Sequence, residues 1–148
     1  QRLGEEGIGF KIAMRALDGG RIGVGTQALG IGLRAYERAV EWVRQDSRRE
    51  EPGVRAQLGR TKLELDTARA FVLRAARLKD AGEPFTRQAS MAKLYATEAA
   101  NRAARTAVDV LGPEAATPAN DVERWYRDVR VTTIYEGTSE IQRTTLRP

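Results

Sequence analysis

Hydrophobic residues recur at helical spacing along most of the chain, and they nowhere alternate with polar residues for long enough to indicate a strand. From Ile22 onward, residues suited to a buried helix face recur at alternating intervals of four and three positions. This stripe consists of Thr26, Leu29, Leu33, Tyr36, Val40 and Val43. It predicts a long helix with one buried face. The amphipathic segment GFKIAMRALDGG precedes it, with Gly19–Gly20 as a candidate kink.

Two further helices follow the polar stretch DSRREEPG, which predicts a loop. The second helix is predicted from Val54 to Lys79, ended by Gly82 and Pro84. Its inward residues are Leu58, Leu65, Ala68, Val72 and Ala75. The third helix is predicted from Thr86, as its N-cap, to the break at Gly112–Pro113. Its inward residues are Met91, Tyr95, Ala99, Thr106 and Val110.

The last part of the chain predicts a fourth helix and a short final one. Asn120 resembles an N-cap, with Glu123 three residues later, ahead of VERWYRDVRVTTI. After YEG, a short helix is predicted over TSEIQRTTL. Four main helices with short connections predict an all-α fold. We expect an antiparallel four-helix bundle with a short additional C-terminal helix, in one domain covering residues 1–148.

Four glycines lie inside the first predicted helix, where glycine is unfavourable. They are Gly23, Gly25, Gly30 and Gly32. We expect them to permit close packing against neighbouring helices. They do not follow a strand in a GxGxxG frame, so a dinucleotide-binding loop of that kind is not predicted.

Composition excludes several kinds of chemistry. The 148 residues include no cysteine and no histidine, so thiol nucleophiles, disulfides, histidine-based triads and the common zinc sites are excluded within this chain. Acid–base catalysis would therefore use Asp, Glu, Tyr, Lys or a cofactor. The absence of cysteine is compatible with a cytoplasmic protein, which is our expectation.

Charge and hydropathy narrow the range of partners. The net charge is +5, but the basic residues are scattered among 20 acidic ones, and no basic tract with interleaved aromatic residues occurs. Nucleic-acid binding is therefore not expected. No apolar run approaches the length of about 18 residues that a membrane span requires, so no span is predicted.

The sequence IYEGTSEIQR, residues 134–143, contains the main candidate for chemistry. Glu136 lies where one helical pattern ends and another begins, followed by Gly137, which frees the backbone. The next helix begins immediately afterwards, and Thr138 is placed to cap it. Helix N-termini bind anions through backbone N–H groups, so the carboxylate could face a polarised carbonyl. From the residues alone, Glu136 is either a solvated loop charge or a placed base.

A resemblance to a known family favours the base. The segments IYEGTSEIQR, GFKIAMRALDGGRIGVGTQALG and PFTRQASMAKLYATEAA resemble the C-terminal helical domain of the acyl-CoA dehydrogenase family, in the same order along essentially the whole chain. QRLGEEGIGF resembles the passage from the family's middle β-domain into this helical domain. The resemblance implies a longer protein whose N-terminal helical domain and middle β-domain precede this chain.

The resemblance implies an activity and a cofactor. Glu136 matches the catalytic base that removes the α-proton of an acyl-CoA, while the β-hydrogen leaves as hydride to flavin adenine dinucleotide (FAD) and trans-2-enoyl-CoA forms. It implies substrate contacts at Asp18, Arg21, Tyr135 and Gly137. It implies cofactor contacts at Thr138, Glu140 and Gly112. An electron-transferring flavoprotein is the acceptor that the resemblance suggests.

The sequence also departs from the family pattern. A second branch of the family carries its base immediately before the arginine matched by Arg21, where this chain has Gly20. Two flavin motifs are altered: R-x-x-F-G falls on DSRREEPG, where Arg48 and Arg49 supply charge only, and Q-x-x-G-G falls on residues 109–113, which retain only Gly112. We therefore expect either a homo-oligomer, dimer or tetramer, with substituted flavin contacts or a heteromer whose partner supplies them.

Two alternatives to this dehydrogenase remain at the level of the sequence. One is a non-catalytic helical assembly domain or subunit of the same family, which the altered flavin motifs favour and the intact YEGT sequence opposes. The other is a related flavoenzyme that acts on a substrate other than an acyl-CoA.

Overall fold

The computed structural model describes residues 2–45, 51–118 and 120–147, which contain helices and no strand. The α-helices are α1 (Gly9–Gln45), α2 (Pro52–Asp80), α3 (Thr86–Leu111), α4 (Val122–Asp128) and α5 (Ser139–Thr145). The 3-10 helices within the described residues are Gly112–Ala116 and Val129–Thr133. The all-α bundle with a short final helix is confirmed. The fourth helix of the bundle is α4, continued by the second 3-10 helix.

Close contacts at two points along α1 give the directions of the long helices. They are Gly25 with Val72 and Lys93, and Gly32 with Leu65 and Ala100. As α1 advances, the contacts move backward along α2 and forward along α3. Helix α1 therefore runs antiparallel to α2 and parallel to α3, an up–down–up arrangement.

The core contains many alanines because the helices pack closely. On α3 the fully buried positions include Ala89, Ala92, Ala96, Ala100, Ala103, Ala104 and Ala107. The predicted inward face of α2 is confirmed, since its five predicted residues are all buried. On α3, Ala99, Thr106 and Val110 are buried, whereas Met91 and Tyr95 are only partly buried.

The predicted stripe on α1 is partly wrong. Leu29 and Val43 are buried, but Thr26 is exposed, and its hydroxyl donates a hydrogen bond to the Ile22 carbonyl one turn back. The buried face instead runs through small residues: Gly25, Ala28, Gly32, Ala35 and Ala39. A pattern based on large residues missed this face because small side chains allow the closest contact between helices. The candidate kink at Gly19–Gly20 lies inside one uninterrupted helix.

Two of the predicted caps are wrong. Helix α3 is preceded by Phe85, and Thr86 is its first helical residue. Helix α4 is preceded by Asp121, whose side chain makes no capping hydrogen bond. Asn120 is buried, where it accepts a hydrogen bond from Arg38 Nε at 3.0 Å. Its polar side chain is used in contacts between elements, which local sequence does not reveal.

The predicted loop DSRREEPG is only partly described. Residues 46–50, which include Arg48 and Arg49, lie outside the described residues, and α2 begins at Pro52, in agreement with the preference of proline for the first helical turn. Within the described parts of the chain, no helix is long and apolar enough to cross a bilayer.

Candidate active site

Glu136 sits in a tight turn between the 3-10 helix Val129–Thr133 and α5. Its φ angle is 55°, and within the described residues it is the one non-glycine residue with a positive φ. Gly137 follows with φ 92°, a conformation that glycine adopts without steric penalty. A positive φ angle is uncommon for residues other than glycine, and the residues that adopt one are concentrated at functional sites. The direction of the Glu136 side chain therefore depends on an unfavourable backbone conformation.

Two side chains hold the turn through its carbonyl groups. Lys93 Nζ, from α3, donates to the Gly137 carbonyl at 2.7 Å. Gln142 Nε2, from α5, donates to the carbonyls of Glu136 and Gly137 at 3.1 Å each. Both anchoring residues have an exposure of 0%. The left-handed turn is thus fixed from the bundle side and from the helix that follows it.

The carboxylate of Glu136 points at α1. A Cβ atom built on Gly20 would lie 2.6 Å from Glu136 Oε2, closer than real contacts allow. Gly20 therefore leaves the space that the carboxylate occupies. Oε2 is buried and has no hydrogen-bond partner within the described residues. An unpaired buried carboxylate oxygen is unfavourable in a folded protein, so this atom is a candidate for contact with a ligand.

Arg21, next to Gly20, is held by a polar cluster at the same end of α1. Its Nη1 donates to Asp18 Oδ1 at 2.8 Å and to Ser90 Oγ at 3.1 Å. The other Asp18 oxygen accepts from the Thr86 hydroxyl. The exposure of Arg21 is 8%, and its Nε has no partner in the described part of the chain. The cluster fixes the guanidinium through Nη1 and leaves the buried Nε without a partner in the described residues.

Burial is the strongest influence on the pKa of the Lys93 ammonium. Desolvation lowers the pKa of Lys93 below its ordinary value, and the nearby cation of Arg21 lowers it further. The nearby carboxylates of Glu98, Glu136 and Glu140 raise the pKa of Lys93 and so partly oppose this shift. The region between α1, α3 and the turn thus contains two buried cations, Arg21 and Lys93, and the partly buried Glu136, whereas most of the bundle interior is apolar.

The start of α5 is organised as the sequence predicts. Thr138 is the N-cap, and its hydroxyl accepts from the Ile141 N–H at 3.4 Å. Glu140 is exposed in the first turn, where its own backbone N–H and the Thr138 hydroxyl lower its pKa. Ser139 is buried and donates to Glu98 Oε1 on α3 at 2.7 Å. The last helix is therefore fixed firmly to α3.

The predicted site residues fall into two places. Asp18, Arg21, Glu136, Gly137 and Thr138 belong to one region that α1, α3 and α5 enclose. Tyr135 and Glu140 lie at its exposed edge, and the Tyr135 hydroxyl donates to Gln27 on α1. Gly112 is the C-cap of α3, with φ 62°. It lies about 20 Å along the helix from the Glu98 contact with α5, so the structure does not bring it to this region.

Sequence reasoning did not identify Lys93, Gln142 or Ser90. A signal for Lys93 was present, because it occupies the inward, alanine-lined stripe of α3 between Ala89 and Ala96. A lysine there is fully buried, which is rare for an unpaired lysine. Nothing comparable marked Gln142, whose role depends on carbonyl groups of a turn that its own helix follows.

The chain is similar to proteins of one family. The family profile described as "Acyl-CoA dehydrogenase, C-terminal domain" matches residues 7–147. The mitochondrial short-chain specific acyl-CoA dehydrogenase of Bos taurus is 47% identical over an alignment of 146 residues that covers 95% of this chain and 35% of that protein. The chain thus spans about a third of the length of this relative.

Solved structures share the fold. Butyryl-CoA dehydrogenase from Megasphaera elsdenii has a TM-score of 0.92 and 42% identity, covering 97% of this chain and 39% of that one. A chain from a structure of the electron transferring flavoprotein of Acidaminococcus fermentans has a TM-score of 0.95 and 38% identity, with 97% and 39% covered.

Proposed function

Since this chain belongs to the acyl-CoA dehydrogenase family, as its C-terminal domain, we propose that the complete protein dehydrogenates an acyl-CoA thioester between its α- and β-carbons, with Glu136 as the base. The product is the trans-2-enoyl-CoA. The observation that carries this proposal is the buried Oε2 atom of Glu136, which has no partner within the described residues and is held in a left-handed turn against Gly20.

The base needs a fixed position more than it needs a partner. A general base must lie within hydrogen-bond reach of the proton that it removes, and it must not be occupied by other donors. Glu136 Oε2 meets the second condition, and the two anchors on the turn restrict its movement. Gly20 supplies the space on α1. This is the position where the second branch of the family carries its base, so both base positions would reach one α-carbon.

The residues present fit a thioester and a flavin at this site. Three buried polar atoms have no partner in the described residues of this region: Glu136 Oε2, Arg21 Nε and Gln142 Oε1. They are an acceptor, a donor and an acceptor, which a polar ligand would satisfy. FAD, when bound, supplies the hydride acceptor that protein side chains lack. Thr138 and Glu140 are the residues of this region proposed to hold it, and Gly112 would contact a flavin elsewhere on the surface.

Arg21 and Asp18 are proposed to orient the CoA end of the substrate. The guanidinium is already fixed by Asp18 and Ser90, so little side-chain entropy is lost when it meets an anionic or carbonyl group. Tyr135 and Gly137 flank the base and are proposed to line the acyl path. The bovine and Megasphaera relatives carry the names short-chain specific and butyryl-CoA dehydrogenase, which favour a short acyl chain as the first substrate to test.

The assembly and the electron acceptor are also proposals. We propose that the protein acts as an oligomer, and both a homo-oligomer and a heteromer fit the altered flavin motifs. The similarity to a chain from an electron transferring flavoprotein structure supports an acceptor of that type.

The test replaces the carboxylate and leaves its shape. In the complete, flavin-loaded protein, Glu136→Gln should retain the visible flavin absorption but lower the rate of anaerobic flavin bleaching by butyryl-CoA by about 10²- to 10⁴-fold, because a general base contributes that much. The matched control is Glu37→Gln, since Glu37 is an exposed glutamate on α1 in a surface ion pair with Arg34. It should bleach at the wild-type rate.

Two results would contradict the proposal. Turnover at the wild-type rate in Glu136→Gln would remove the base assignment. A wild-type flavin that no acyl-CoA bleaches would remove the dehydrogenase activity and favour the assembly role or a different class of substrate.

A further inference from the structure

Lys93 has the largest fully buried side chain among the described residues, with an exposure of 0%. Its ammonium donates to the Gly137 carbonyl at 2.7 Å, and within the described residues it makes no ion pair with a carboxylate. Burying an ammonium group without a paired anion is costly, and apolar replacement of buried ionic groups is often neutral or stabilising. Stability therefore does not explain a lysine at this position.

The contact of Lys93 is with the backbone of the turn. Gly137 is the residue after Glu136, and both have positive φ angles. An ammonium bound to the Gly137 carbonyl opposes rotation of the peptide that would carry the turn out of its left-handed form. Gln142 binds the same carbonyl from α5, so the two donors hold it from different elements.

The position of Lys93 also couples the turn to α1. Lys93 Cα lies close to Gly25, since a Cβ built on that glycine would be 3.5 Å from it. Arg21 and Gly20 are on the same helix one turn earlier. A single residue of α3 therefore packs against the helix that receives the Glu136 carboxylate and bonds the turn that presents it.

We propose that Lys93 is a positioning residue, which holds the Gly137 carbonyl and thereby keeps the Glu136 carboxylate aimed past Gly20. This inference rests on the proposed function for its effect on turnover, but its effect on the turn does not require any activity. Because the Lys93 ammonium bonds the turn, its loss should act on the chemical step more than on substrate binding.

The main test uses Lys93→Met in the complete, flavin-loaded protein. Methionine fills a similar volume without a donor, and the Gly137 carbonyl still accepts from Gln142, so the fold should survive. We expect kcat with butyryl-CoA to fall about 10- to 100-fold while KM stays within about twofold, since a displacement near 1 Å has effects of that size. Lys62→Met is the control, because Lys62 is an exposed lysine on α2 paired with Asp66.

A second measurement reports the turn itself. Amide hydrogen exchange, followed by mass spectrometry on peptides covering residues 134–142, should accelerate in Lys93→Met and not in Lys62→Met. Lys93→Gln keeps an N–H donor and should restore part of the protection and part of kcat. Equal damage in the methionine and glutamine variants would overturn the hydrogen-bond basis of the inference.

The other outcomes are also decisive. A folded Lys93→Met protein with unchanged kcat and unchanged exchange overturns the inference, as does a rise in KM with kcat intact. Failure of both variants to fold assigns Lys93 to the core and overturns it as well. If no acyl-CoA bleaches the wild-type flavin while the turn loosens in Lys93→Met, the proposed function fails and the role of Lys93 in the turn stands.

Discussion

Two glycines on α1, Gly20 and Gly32, each face something too close for a side chain, but what they face differs. A Cβ on Gly20 would lie 2.6 Å from a carboxylate oxygen of Glu136. A Cβ on Gly32 would lie 2.9 Å from the Cα of Ala100 and 3.0 Å from Leu65 Cδ2. One glycine makes room for the end of a flexible side chain, and the other makes room for the backbone of a neighbouring helix.

The difference separates charged packing from apolar packing along one helix. Around Gly32 the interface is formed by alanine and leucine, and its value lies in close apolar packing. Around Gly20 the interface contains Arg21 and Lys93, which are buried, and Glu136, which is partly buried. Buried charged groups weaken a core, so their presence around Gly20 is not explained by stability and fits the active site proposed there.

The largest effect is expected from Gly20→Ala. The new methyl group displaces the Glu136 carboxylate, because a side-chain end moves more easily than a helix, and turnover with butyryl-CoA should fall about 100-fold. Unfolding by denaturant should show a stability equal to the wild type or higher by up to about 1 kcal/mol, from helix propensity.

Gly23→Ala is the matched control for that change. Gly23 lies three residues further along α1 and has nothing within 4 Å of a built Cβ. It should gain the same helix propensity and keep full activity. If Gly20→Ala also keeps full activity, the close approach to Glu136 has no part in turnover.

The next effect is expected from Gly32→Ala, in the opposite property. Forcing a methyl group against Ala100 and Leu65 should lower the free energy of unfolding by about 1–3 kcal/mol, since overpacking displaces backbone. Specific activity per folded flavin should be unchanged. The measurement is a denaturant titration of the complete protein.

Gly30→Ala is the control on the same helix. Gly30 has open space where its Cβ would be, so this variant should be stabilised by up to about 1 kcal/mol. Equal stability of the Gly30 and Gly32 variants would contradict the packing role of Gly32.

The smallest effect is a pH dependence of the free energy of unfolding that arises from Lys93, near Gly20. Because folding lowers the pKa of Lys93 from 10.5, the unfolded chain binds more protons at this residue in the window between the lowered pKa and 10.5. Wild-type stability minus that of Lys93→Met should therefore rise with pH through this window, by about 1.4 kcal/mol for each unit of pKa difference.

The comparison of two proteins cancels groups that titrate alike in both. The charged groups that act on Lys93 are Arg21, Glu98, Glu136 and Glu140. Denaturant midpoints from neutral pH to about pH 10.5 test the prediction, and a flat difference would contradict it. The same experiment on Gly32→Ala should give a constant difference from the wild type.

The two pairs of glycines also show how far sequence reasoning reached. Gly23, Gly25, Gly30 and Gly32 were all expected to permit close packing, but this is confirmed only for Gly25 and Gly32, while Gly23 and Gly30 face open space. Spacing along one helix indicates which positions share a face. It does not indicate how near the next helix comes.

The predicted helix caps show the same contrast between local contacts and contacts across the fold. Thr138 was predicted correctly, because a cap is a contact with an N–H group three residues away. Thr86 and Asn120 have the same residue chemistry but bond across the fold, to Asp18 and Arg38 respectively. Their partners lie 68 and 82 residues away in sequence, so no local pattern distinguishes them from true caps.

By itself the sequence determined the helical class and the order of the helices, because periodicity and helix breaks are properties of residues within a few positions of each other. Glu136 became the candidate base only through the resemblance of the YEGT segment to the acyl-CoA dehydrogenase family. The tertiary structure alone decided that Gly20 receives the carboxylate and that Lys93 holds the turn. It also decided that Glu136, Arg21 and Gln142 each have a buried polar atom without a partner among the described residues. The reason is physical: burial and hydrogen bonding between helices depend on how closely three distant segments approach, and that distance follows from the packing of the whole bundle.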